Sequence, residues 1–132
     1  RMGAPELEVA AAVNDLTRYL LFVDEPPLAA PVVGVSTFSK TFPQQGPHDR
    51  LGRSLRDFNL HTRIFRYRLS YTIYSPAFDH LPDPARRKVY ERLHDALTDR
   101  VVSGHIPEQE RTDVVSILLD TKPEAALYFR RR

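Results

Sequence analysis

The sequence contains no cysteine, no tryptophan and only five glycines among its 132 residues. Without cysteine the chain can form neither a disulfide scaffold nor a thiolate metal site, and it has neither a cysteine nucleophile nor a c-type haem attachment. Five glycines are few for a β-rich fold, because such folds need many tight turns. These absences favour a helical fold without covalent cross-links.

Long apolar runs are also missing. No stretch approaches the ~18 apolar residues of a membrane span, and no secretory signal opens the chain. A hydrophobic content of 42% at a net charge of only +2 excludes a disordered chain. Since domains cluster near ~100–150 residues, we expect one soluble globular domain over residues 1–132. The basic tail at 130–132 is most simply a solvated end.

The motifs that mark common catalytic and cofactor sites are absent as well. The sequence has no glycine-rich phosphate loop, no Gly-x-Ser-x-Gly elbow and no His-Glu-x-x-His helix. Its five histidines are at least eleven residues apart, whereas zinc and iron sites usually contain a close pair. We therefore predict no metal site and no cofactor.

In the N-terminal half, apolar spacings of three and four predict a helix from Pro5 to about Phe22. The helix cannot run past Asp24-Glu25-Pro26-Pro27, because two prolines remove backbone donors and restrict the preceding residue. Residues 24–35 are rich in proline and alanine, and we expect an ordered, extended connection. A short helix then runs from Ser36 to Phe42, capped by Ser36 and ended at Pro43.

The C-terminal half contains the clearest helical patterns. An apolar stripe at Leu69, Ile73 and Ala77 predicts a helix that is kinked or broken at Pro76. Asp83 is the expected cap of a helix that continues to about Thr98, and a last helix runs from Glu108 to Asp120.

Residues Asp49 to Tyr67 fit no single period. We expect an irregular segment with either a short helix or an extended pair, pinned by Leu55, Phe58 and Phe65. A structureless loop of this length would be unusual in a compact domain unless it were functional. The whole pattern predicts a mainly α domain of about four moderate helices with long proline-containing connections.

The positive charge is concentrated in one part of the chain. Residues 1–45 have a net charge of −2, residues 46–75 of +4 and residues 76–132 of zero. Every basic residue of the middle part is Arg, and aromatic residues lie between them; we call residues 50–74 the Arg/aromatic segment. Its candidate contact residues are Arg50, Arg53, Arg56, Arg63, Arg66, Arg68, Tyr67, Tyr71 and Tyr74.

Arginine suits bidentate contacts with carboxylates and phosphates as well as stacking on rings. The leading hypothesis is a non-enzymatic domain that binds a protein partner or an anionic ligand through the Arg/aromatic segment. Such a segment can also hold single-stranded nucleic acid, although nucleic-acid binders tend to have a broader basic surface. The structural alternative is internal pairing of these Arg side chains with the acids at 15, 24, 25 or 57, over Tyr rings.

Asp57 and His61 suggest a function from another class. They are four residues apart, and a carboxylate that orients an imidazole is half of a general-base arrangement. A hydrolase or transferase site around them would need completion by Asp49 or Ser54. Nothing in the spacing selects the nucleophile, so the enzyme hypothesis stays an alternative.

A set of short motifs resembles the C-terminal part of a family of uncharacterised, exported bacterial proteins. The matching residues are GPHD at 46–49, GRSLRDF at 52–58, TR at 62–63, SYxIYSxAFDxLP at 70–82, VYxRL at 89–93 and DTKP at 120–123. The likeness extends from about Leu20 onward. It departs at Arg68-Leu69, where relatives have Pro-Cys, and at Pro76, where a helix-compatible residue is expected.

The family's activity is undefined, so the resemblance implies membership and no particular chemistry. It also implies that this chain is the C-terminal domain of a longer exported protein whose signal sequence lies upstream. A thiol function at the position of Leu69 is unavailable in this chain, because the sequence contains no cysteine.

Overall fold

The structure, a computed structural model, describes residues 4–32, 37–99 and 106–129. It confirms the mainly helical prediction, and four helices of the described part have nine or more residues. The α-helices are α1 (Ala4–Leu20), α2 (Thr37–Gln45), α3 (Pro76–Asp79), α4 (Asp83–Thr98), α5 (Glu108–Thr121) and α6 (Ala126–Phe129), with 3₁₀ turns at Tyr71–Tyr74 and Pro123–Ala125.

The core lies where α1, α4 and α5 meet, with α6 against α4 and α5. The predicted stripe of α4 is fully buried at Val89 and Leu93, and α5 buries Ile117 and Leu118. Complete burial of each such side chain is worth about 1.5–3 kcal/mol. The predicted helices over these residues are therefore confirmed, and the strongest apolar stripes in the sequence form the core.

Helix α1 ends earlier than its prolines require. The last helical residue is Leu20, and Phe22 has a left-handed backbone with φ of 56°. The Phe22 amide donates to the carbonyl of Tyr19 at 3.1 Å, and the Val23 amide donates to that of Arg18 at 3.0 Å. These two bonds are typical of a helix C-cap that normally requires glycine, and they end α1 close to the predicted position at Phe22, before the chain reaches Pro26-Pro27.

Helix α2 also differs from its prediction, because it passes through Pro43 and ends only at Gln45. Proline has a helical φ and loses one donor, so a helix can hold it near its end. Pro76 interrupts the helical region as predicted, and it begins α3 behind the capping hydroxyl of Ser75. The four-residue stripe is broken there, and Ala77 is exposed while Phe78 is buried.

Two further details of the C-terminal half correct the prediction. Asp83 makes no capping bond at the start of α4, and its carboxylate lies 2.7 Å from the Arg86 guanidinium. The chain after Lys122 forms a 3₁₀ turn and α6, where the sequence indicated only a stop. Ser36, residues 33–35, the Ser103-Gly104 break, His105 and the 130–132 tail lie outside the described residues.

Residues 57–66 form the extended pair that was one of the two predicted alternatives. Phe58 and Phe65 make an antiparallel bridge, and the Arg66 amide donates to the Asp57 carbonyl at 2.9 Å. The proline-rich connection lies along the tip of this pair, since the Leu28 amide donates to the Thr62 carbonyl at 2.8 Å. These hydrogen bonds hold the long connections in place, although the described residues of these connections form neither helices nor extended strands.

Candidate functional site

Half of the arginines in the Arg/aromatic segment are neutralised by helix α5. Arg50 contacts Asp120 at 2.9 Å, Arg53 contacts Asp113 at 3.0 Å, and Arg63 contacts Glu110 at 2.8 Å. The three acids recur at spacings of three and seven along one side of α5. These pairs dock the segment onto the helix, so most of its surplus positive charge is compensated inside the fold.

A buried carboxylate organises the start of the segment. Asp49 is 5% exposed and accepts the amides of Leu51 and Arg53 at 3.0 and 2.8 Å, while the Arg53 Nε donates to it at 2.7 Å. Burial alone would raise the pKa of Asp49, but the hydrogen bonds from Arg53 and Leu51 outweigh it and hold that pKa below its ordinary value. Arg53 therefore bridges the carboxylates of Asp49 and Asp113 and stabilises the fold.

The other three arginines pair with no carboxylate among the described residues. The Arg56 guanidinium lies over the rings of Phe42 and Tyr71, at 4.5 and 5.3 Å from their centroids. Arg66 is exposed and lies 5.4 Å from the centroid of the Tyr67 ring. Arg68 donates to the Phe22 carbonyl at 3.2 Å, which ties it to the end of α1.

The three candidate tyrosines have different surroundings. Tyr67 is buried in the core, and burial raises the pKa of its phenol. Tyr74 is hydrogen-bonded to the Thr121 hydroxyl of α5, and burial raises its pKa too. Tyr71 is only partly buried and meets the Phe42 ring edge-on. Of the three, Tyr71 is the one placed for contact with a ligand.

Five rings form a second aromatic group outside the main core, which we call the aromatic cluster. Its members are Phe22, Phe42, Phe58, Phe65 and Tyr71, all of them partly buried. Phe65 is central, because its centroid lies 5.4–6.3 Å from those of the other four rings. Such separations are typical of favourable ring contacts. The cluster joins α1, α2, the extended pair and the 3₁₀ turn at Tyr71–Tyr74 in one surface.

A groove of about 580 Å³ opens beside this cluster, at the end of α1. Its lining contains the aromatic residues Phe22, Phe65 and Tyr71 together with Tyr19, which is 61% exposed. The charged residues of the lining are Asp15, Arg18, Asp24 and Glu25. The groove therefore combines aromatic rings from the Arg/aromatic segment with a negative balance from α1 and the turn after it.

Phe22 reaches this groove through a strained backbone. A bulky residue in the left-handed region costs roughly 1–2 kcal/mol relative to glycine there. Phe22 stacks on Phe65 with centroids 5.8 Å apart, and its own carbonyl accepts from Arg68. Strained residues cluster at functional positions, where the surroundings hold them in place. Leu60 also has a left-handed backbone, with φ of 63°, but of the two only Phe22 lines the groove.

Asp57 and His61 differ in their surroundings. The Asp57 carboxylate accepts the Ser54 amide at 3.0 Å, whereas His61 is exposed at the turn of the extended pair. Ser54 is completely buried, and its hydroxyl accepts the Arg56 amide at 3.0 Å. Asp49, Ser54 and Asp57 thus stabilise local turns, and neither they nor His61 line the groove beside the aromatic cluster.

No group of three or more His, Asp or Glu side chains in residues 4–32, 37–99 and 106–129 is placed to hold a metal ion. Within the same ranges, no helix combines the length and apolarity needed to cross a membrane.

Sequence reasoning missed the true partners of the arginines and part of the ring cluster. It named acids at 15, 24, 25 and 57, which are near in sequence, whereas the partners are Asp49 and acids of α5. The regular spacing of the α5 acids was the available signal. Phe22 and Phe42 gave no such signal, because both lie outside the Arg/aromatic segment and meet Phe65 only after folding.

No family model matches the chain, and no curated protein or solved structure matches it either. The resemblance to exported bacterial proteins therefore stays a prediction, and the functional argument depends on the geometry of this molecule.

Proposed function

We propose that this protein is a non-enzymatic binding domain that captures a protein partner through the aromatic cluster and the arginines beside it. The observation that carries the proposal is the set of five partly buried rings, which pack on one another outside the main core. Exposed apolar patches rimmed by polar groups mark interaction sites. Aromatic residues and Arg are also the types enriched at protein interfaces.

Internal pairing favours a protein partner over an anionic ligand or a nucleic acid. Arg50, Arg53 and Arg63 already contact carboxylates of α5, so they are not available as a phosphate-binding set. Arg56 lies over rings, and its Nε is buried without a hydrogen-bond partner. Nucleic-acid affinity requires many uncompensated cations, whereas the groove beside the cluster is acidic.

The test compares proteins captured by the wild-type chain and by surface variants from a bacterial envelope extract, the compartment that the family resemblance implies. Phe65→Ser removes the central ring, and Arg66→Glu reverses an exposed charge beside the Tyr67 ring. Leu127→Ser is the matched control, because it removes a 64%-exposed apolar side chain from α6. Circular dichroism first establishes that each variant folds.

We expect one or more proteins to bind the wild type and the Leu127→Ser control and to be lost with both cluster variants. The purified partner should then bind the wild type directly in calorimetry and bind Arg66→Glu at least tenfold more weakly. Equal capture by all four chains would remove the basis of the proposal. Arg53 and Arg63 are poor choices for this test, because their replacement also releases the segment from α5.

A further inference from the structure

We propose that the groove at the end of α1 receives a basic side chain, Lys or Arg, from an extended segment of the protein partner. The inference rests on the proposed function and specifies the chemistry of the partner. The groove lining contains three acids, Asp15, Asp24 and Glu25. Asp24 is paired with Arg18 at 2.7 Å, whereas Asp15 and Glu25 make no ion pair with any described residue. The groove therefore has two uncompensated negative charges.

The aromatic part of the lining suits the same kind of ligand. Tyr19, Phe22 and Phe65 line the groove, and an aromatic ring attracts a cation through its quadrupole. An anion would meet the carboxylates and the negative faces of the rings together. A neutral apolar group would leave the two carboxylates uncompensated at its rim. A cation that bears an apolar stem matches both the acids and the rings of the lining. Lys and Arg side chains have this composition.

Continuity with a second groove favours a polypeptide over a free small cation. The neighbouring groove of about 410 Å³ shares Phe22 and Glu25 with the first, and it continues over Pro26 and Pro27 to Arg63 and Glu110. An extended segment that crosses the shared rim places one side chain in each groove. The strained backbone of Phe22 lies at that junction, where its ring lines both grooves.

The experiment uses fluorescent peptides of equal length with Arg, Lys, citrulline or Glu at one central position, titrated with the full chain and followed by anisotropy. Citrulline has the shape of Arg without its charge. We expect the Arg and Lys peptides to bind about tenfold more tightly than the citrulline peptide, and the Glu peptide to bind most weakly. The affinity should fall as salt rises.

Variants assign the binding to this groove. The double variant Asp15→Asn/Glu25→Gln should weaken the Arg peptide by about tenfold, and Tyr19→Ala should weaken it severalfold. The matched control is Glu91→Gln/Glu108→Gln, which removes two exposed acids from α4 and α5 and should leave the affinity unchanged. Equal weakening by the control would show attraction to overall charge and would overturn the proposal.

The two proposals can fail separately. If no Arg or Lys peptide binds below about 1 mM, or if citrulline binds as well as Arg, the basic occupant is wrong. Loss of the captured partner in Phe65→Ser and Arg66→Glu would still support the proposed function in that case. If the peptides bind in the groove while all variants capture the same proteins, the groove inference stands and the wider contact surface is wrong.

Discussion

The helical core and the aromatic cluster both contain contacting rings, but they differ in burial. In the core, Tyr90 lies between Phe78 and Tyr128, is completely buried and donates its hydroxyl to Glu124 at 2.9 Å. Burial is the main cause that raises the pKa of Tyr90, with the Glu124 bond adding to it. In the aromatic cluster the rings remain partly exposed, and one belongs to a residue with a strained backbone.

The difference indicates that aromatic residues stabilise the fold in the core and offer contact area in the aromatic cluster. A buried ring with a satisfied hydroxyl contributes its whole area to the stability of the fold. A half-exposed ring contributes less to folding and keeps area for a partner. We therefore expect substitutions in the core to change stability, and substitutions in the cluster to change binding. Four predictions test this contrast.

The largest effect on stability belongs to the core. Ile117→Ala should lower the free energy of unfolding by about 2–5 kcal/mol, because the residue is completely buried and leaves a cavity. Ile64→Ala, on the 39%-exposed side chain of the extended pair, should cost only about 0.5 kcal/mol. Urea denaturation of both variants measures the contrast. Similar losses would mean that the extended pair is as tightly integrated as the helices.

Asp49 marks the boundary between the two regions, and Asp49→Asn should cost about 2 kcal/mol near neutral pH. The wild-type carboxyl has a lowered pKa, so the unfolded state takes up its proton first as the pH falls. Its contribution to stability is therefore present above its unfolded value of 3.8 and is lost as the pH falls through the folded value. Denaturation from pH 7 to pH 3 should show the two chains converging. A constant difference would contradict this explanation.

Phe22 allows strain and ring stacking to be separated. Phe22→Gly should change the free energy of unfolding by less than about 1 kcal/mol. The variant loses a stacked ring, worth ~0.5–1.5 kcal/mol, and gains the relief of left-handed strain. Phe22→Ala loses the ring and keeps the strain, so it should be less stable than Phe22→Gly by about 1 kcal/mol. Both variants should weaken the Arg peptide. If Ala and Gly are equally stable, Phe22 is not strained in solution.

The smallest effect is expected for Arg50→Gln. Its guanidinium is 78% exposed, so solvent screens the pair with Asp120. The hydrogen bonds from the Arg50 side chain and amide hold the pKa of Asp120 below its ordinary value. The variant should shift the urea midpoint less than Asp49→Asn does, and high salt should remove the difference from the wild type. A larger, salt-insensitive shift would contradict the exposed-pair interpretation.

The sequence predicted the helical regions well, because a stripe such as Val89, Leu93 and Leu97 on α4 repeats locally. Its main error lies at a helix end. Pro43 suggested a stop, whereas α2 continues past it, and no sequence signal indicated the left-handed backbone of Phe22 after α1. Which residue ends a helix depends on the tertiary contacts that hold an unusual backbone, and composition does not reveal them.

For the candidate site, the sequence determined which residues are present and the fold decided what they can do. It contains the Arg/aromatic segment, and it excludes any thiol chemistry there. Only the tertiary structure decided that Arg50, Arg53 and Arg63 meet acids of α5, and that Phe22 and Phe42 join the rings of the segment. The physical reason is range: helical periodicity acts over a few residues, whereas these contacts join side chains up to 70 residues apart, which only packing can specify.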